Sequence, residues 1–118
     1  MEALKIVRIE YLGVGIFCSP NVHCMHPIVR EVYNRHNDFP NPMNEGLNLW
    51  KDNKEWFCAY KTVEQVQQWL RKVEIQYFTT LGFRVYLLTV NEYQMGDYQV
   101  IFTKDSIVSK EDVTSLFV

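Results

Sequence analysis

The chain reads as a single α+β domain: a mostly antiparallel sheet of about five strands, one long amphipathic helix over 62–81 and one short helix over 27–36. Three observations predict this. Several short runs alternate in polarity or are rich in residues favoured in strands. One run carries apolar residues at three- and four-residue spacing between a capping sequence and a glycine. The length of 118 residues, 47% of them apolar, suits one hydrophobic core and excludes two independent domains over 1–118.

The first run, Leu4 to Leu12, places Lys5, Val7, Ile9 and Tyr11 on one side of a strand and Leu4, Ile6, Arg8 and Glu10 on the other. If the second side is buried, Arg8 and Glu10 must pair or line a cleft, because a buried unpaired charge is very costly. Gly13 and Gly15 loosen the chain after it. Pro27 suits the first turn of a helix, where its missing N–H costs nothing, and Ile28, Val29, Val32 and Tyr33 continue the short helix to His36. Residues 37–53, NDFPNPMNEGLNLWKDN, are dense in turn formers and predict a long irregular loop, a candidate lid or partner surface.

Glu55 to Lys61 then reads as an inner strand, with Trp56, Cys58 and Tyr60 opposite Phe57 and Ala59. Thr62-Val63-Glu64-Gln65 is a capping box. Val63, Val66, Leu70, Val73, Tyr77 and Leu81 form a continuous apolar stripe, and Gly82 supplies the stop. Phe83 to Val90 predicts a central strand and Tyr98 to Thr103 another, joined as a hairpin through residues 91–97 with a turn at Gly96-Asp97. The end predicts one helical turn at Ser109 to Asp112 followed by an edge strand.

Composition narrows function by exclusion. Twelve basic against fourteen acidic residues leave a net charge of -2, which argues against a nucleic acid as partner even though Trp50, Trp56 and Tyr60 lie near Lys51, Lys54 and Lys61. The opening MEALKIVRIEYLGVGIF lacks the pattern of a signal peptide, and no run reaches the ~18 apolar residues of a membrane span, so the expected location is the cytoplasm and no membrane is expected as partner. Cys18, His23, Cys24, His26 and Cys58 offer zinc-type ligands without zinc-type spacing, so no metal is expected. Pairing Cys18 or Cys24 with His23, His26 or His36 matches no local signature of a cysteine hydrolase. Gly13-Val14-Gly15 lacks the third glycine and the lysine of phosphate-cradling loops.

Three stretches carry a resemblance. Arg8-Ile9-Glu10, the run from Cys58 through Lys61-Thr62 and Glu64-Gln65 to Trp69, and Gly96-Asp97-Tyr98-Gln99-Val100-Ile101-Phe102 resemble segments of small uncharacterised bacteriophage proteins, and their order is similar to the ADP-ribosyltransferase-like fold. The phage resemblance implies an accessory protein acting by binding, with a host antiviral-defence protein as target and the host-cell cytoplasm as location; Phe39, Trp50 and Lys51 are the candidate contacts and no cofactor is needed. The transferase resemblance implies the alternative, an enzyme or an NAD- or nucleotide-binding domain. Arg8 would then contact NAD, Tyr60 would support the nicotinamide and Gln99 would orient the ribose, with Glu10 nearby. Gln99 stands where that family carries a glutamate, and its amide cannot supply the negative charge that stabilises an oxocarbenium-like transition state.

Overall fold

The computed structural model describes residues 2–11, 14–15 and 46–117. Among the described residues seven strands form one antiparallel sheet: β1 Leu4–Tyr11, β2 Val14–Gly15, β3 Phe57–Tyr60, β4 Arg84–Val90, β5 Tyr93–Met95, β6 Gln99–Phe102 and β7 Ile107–Asp112. Six of them run in the order β5-β6-β3-β1-β4-β7, and β2 folds back on the end of β1 at Glu10 and Tyr11. Two helices, α1 Val63–Trp69 and α2 Lys72–Thr80, connect β3 to β4. The α+β expectation holds, with more strands than predicted.

The strand pattern of β1 follows from its place. Flanked by β4 on one side and by β3 and β2 on the other, it buries both faces from Ile6 to Glu10. Val7 and Ile9, with Tyr60 and Val85, pack under Val66, Leu70, Ile75 and Phe78 of the helical layer. On the opposite face Ile6, Ala59, Leu88, Val100 and Phe102 form a second apolar cluster. A sheet with apolar residues on both faces explains why β4 reads as a nearly continuous hydrophobic run.

The predicted long helix is two helices. The first is capped as expected, Gln65 N–H donating to Thr62 Oγ1 at 3.0 Å, but the Gln65 side chain reaches one residue further back and accepts from Lys61 N–H at 2.7 Å. Leu70 then turns extended (φ -119°, ψ 135°) to bury its side chain, and Arg71 restarts the chain with its N–H donating to Glu74 Oε1 at 2.7 Å. The break rotates the apolar stripe: Val73, assigned inward by periodicity, is 56% exposed, while Ile75 and Phe78 enter the core. At the end of α2 the Phe83 N–H bonds to Phe78 O and the Gly82 N–H to Thr79 O, the paired closure that a left-handed residue permits, and Gly82 has φ +101°.

Three further expectations are corrected. Strands 83–90 and 98–103 do not form a hairpin: β4 pairs with β1 and β7, and β6 pairs with β3 and β5. The connection itself contains β5, so the Gly96-Asp97 turn joins β5 to β6. The C-terminal order is reversed, since residues 107–112 form β7, an edge strand among the described residues, and a 3-10 turn, Thr114–Leu116, follows it. The predicted helix 27–36 and residues 37–45 of the predicted loop lie outside the described residues; residues 51–53 form a 3-10 turn.

Candidate functional site

The alternation in β1 sends Arg8 and Glu10 to the face opposite the helices, where they are 2% and 3% exposed. Arg8 Nε donates to Glu10 Oε2 at 2.7 Å, and Arg8 Nη1 donates to Cys58 O at 2.7 Å. The guanidinium lies 5.4 Å from the ring centres of both Phe57 and Phe102. Register puts these rings there, because Phe57 and Phe102 are cross-strand partners on β3 and β6. The other Glu10 oxygen accepts from Lys110 Nζ at 2.9 Å, and that ammonium sits 4.1 Å over the Tyr86 ring. Both carboxylate oxygens of Glu10 therefore have a cationic donor, which is the condition for holding such a charge out of water.

Tyr60 and Gln99 stand on the other face. They are cross-strand partners, and Tyr60 packs in the helical layer with its ring edge-on to Trp69 at 5.7 Å. The structure thus brings Arg8 together with Glu10, and Tyr60 together with Gln99, with the sheet between the two pairs. The expected cleft at Arg8, Tyr60 and Gln99 does not assemble. Alternation supplies the physical reason: Val7, not Arg8, is the register partner of Tyr60.

A second locus is the segment 46–56. Leu47 is buried, and Asn48 joins β5 through two bonds, its N–H donating to Gln94 Oε1 at 2.8 Å and its O accepting from Gln94 Nε2 at 2.9 Å. Trp50 N–H donates to Asn48 Oδ1, the Trp56 indole donates to Lys51 O at 3.0 Å, and Lys54 Nζ meets Glu92 Oε2 at 2.6 Å. The pair with Lys54 and a bond from Thr103 Oγ1 hold the Glu92 carboxyl below its usual range. Asp52 and Asn53 take positive φ, 59° and 55°, which tightens the turn after Trp50. Trp50 itself is 68% exposed and Lys51 is exposed beside it. Phe39 lies outside the described residues, as do Cys18, His23, Cys24 and His26; among the described residues no group of metal-ligating side chains occurs.

Sequence reasoning missed Lys110, Phe57 and Phe102 around Arg8, and Gln94 beneath Asn48. The only signal available was the expectation that a buried Arg8-Glu10 side must be paired, and its partner lies 100 residues away from Glu10.

Fold and charges together define a small antiparallel α+β domain with a buried Arg8–Glu10 ion pair in its sheet. The chain belongs to a bacteriophage protein family, described as "Bacteriophage T4 Y00F protein", which matches residues 1–115. Neither a curated protein nor a solved structure matches the chain, and the ADP-ribosyltransferase-like resemblance gains no support.

Proposed function

We propose that this phage protein is an accessory factor that acts by binding a host protein through Trp50 and Lys51, and that its target belongs to the antiviral defence of the host. The observation that carries the reading is an exposed tryptophan on a backbone already fixed by Leu47, the Asn48–Gln94 bonds and the Trp56–Lys51 bond. Tryptophan is among the side chains that dominate interface energetics, and a pre-ordered segment loses little conformational freedom on docking. Membership of a phage family supports a role in the infected cell, where a host factor directed against the phage is the target such a surface serves best to block. No helix among the described residues is long and apolar enough to cross a membrane. The reading uses no cofactor and no chemistry at Arg8, whose Nε and Nη1 bond to Glu10 and Cys58 within the sheet.

Affinity capture from host lysate with the wild type, Trp50→Ala and Lys51→Glu tests it. A host protein recovered by the wild type is expected to fall at least about tenfold with Trp50→Ala, as for an interface anchor, while the melting temperature stays unchanged. Equal recovery by both proteins, or a large drop in melting temperature, overturns the assignment of Trp50 to the partner surface.

A further inference from the structure

β7 closes one end of the sheet order, and it is held differently from the other strands. Five of its six residues are exposed, Val108 by 64%, and Ile107 is half-buried. The residues on either side, Ser106 before it and Val113 and Thr114 after it, are buried. Burial therefore anchors both ends of the strand, through hydrogen-bonded Ser106 before it and Val113 and Thr114 after it, and little of its middle. Besides the backbone ladder to β4 and the Lys110 ammonium over the Tyr86 ring, two ion pairs tie the strand. Lys110 Nζ reaches across β4 to Glu10 on β1, and Asp112 Oδ2 meets Arg84 Nε at 2.7 Å. The ladder also has a register irregularity between Thr89 and Val90.

Segments with little buried apolar surface open at lower free energy than the global transition. We propose that residues 108–112 form a latch that opens locally between the buried anchors Ser106 and Val113, set by the Lys110–Glu10 and Arg84–Asp112 pairs, and that opening uncovers the outer edge of β4. The N–H of Val113 donates to Val85 O, so antiparallel alternation directs the Glu111 and Ser109 N–H groups toward β4 and those of Lys110 and Asp112 outward. Ser109 and Glu111 are thus the reporters of the closed state. In the open state the backbone groups of Leu87 and Thr89, their register partners, become an unpaired edge of the kind to which another strand adds.

Native-state hydrogen exchange on the full chain tests this. Raising salt from about 50 to about 500 mM is expected to speed exchange at Ser109 and Glu111 by about threefold or more, because the half-exposed ends of both pairs are screened, while β1 amides keep their rates. Lys110→Met is expected to give a similar increase confined to the same amides, since Arg8 still neutralises Glu10. Exchange at Ser109 and Glu111 that follows the β1 amides under both perturbations overturns the latch. Should Lys110→Met fail to fold, the salt series on the wild type decides alone.

Discussion

Arg8 and Glu10 stand two residues apart on β1 and meet at 2.7 Å with almost no solvent around either. Removing either charge singly leaves the other buried and less well compensated. Arg8→Ala leaves the Glu10 carboxylate buried with only Lys110 opposite it and withdraws a donor from Cys58 O. Loss of one member of a buried pair typically costs about 3–5 kcal/mol, so Arg8→Ala is expected to lower the urea midpoint sharply. Replacing both, Arg8→Met with Glu10→Met, is expected to recover part of that loss, because no buried charge is then left without its partner, although the bond to Cys58 O stays lost. Equilibrium urea unfolding of the three proteins checks both outcomes.

Gly82 is constrained twice, by φ +101° and by the Tyr11 ring, which would lie 2.7 Å from an added Cβ. Gly82→Ala is expected to destabilise the protein by about 1–3 kcal/mol. Gly46 has φ +79° but nothing within 4 Å of its Cβ position, so Gly46→Ala is expected to cost less, about 1 kcal/mol. The difference between the two melting temperatures isolates the contact with Tyr11.

Asp112 accepts from Arg84 and from Thr114 N–H, and these bonds hold its carboxyl down at about 2 against an ordinary 3.8. A depressed carboxyl contributes stability that is complete above its unfolded value and is lost as pH falls through the folded one. The contribution of Asp112 is therefore expected to fade between about pH 4 and pH 2. Asp112→Asn is expected to flatten the acid limb in that window, and unfolding free energies of both proteins across it provide the measurement.

Thr62→Ala removes the oxygen that receives the Gln65 N–H and is expected to cost about 1 kcal/mol. Gln65→Ala is expected to cost more, because the same side chain also donates to Tyr98 O and so ties the start of α1 to the turn between β5 and β6. Thermal unfolding ranks the two variants.

The sequence alone determined what acts over one turn or one strand. Alternation located β1 and the demand that Arg8 and Glu10 be paired; Thr62 and Gln65 marked the start of α1; Gly82 marked the end of α2. Cap bonds and side-chain alternation involve residues within about four positions, so a linear reading contains them. Only the tertiary structure decided that Lys110 completes the Glu10 pair, that Arg8 lies between Phe57 and Phe102, that Tyr60 and Gln99 stand across the sheet from Arg8, and that β5 replaces a plain connection. The long apolar stripe misled for the same reason: burying Leu70 and capping with Glu74 outweighed helical continuity, and that balance exists only once the sheet is there to receive Leu70, Ile75 and Phe78. Strand order is fixed by packing between segments far apart in the chain, and no local pattern carries it.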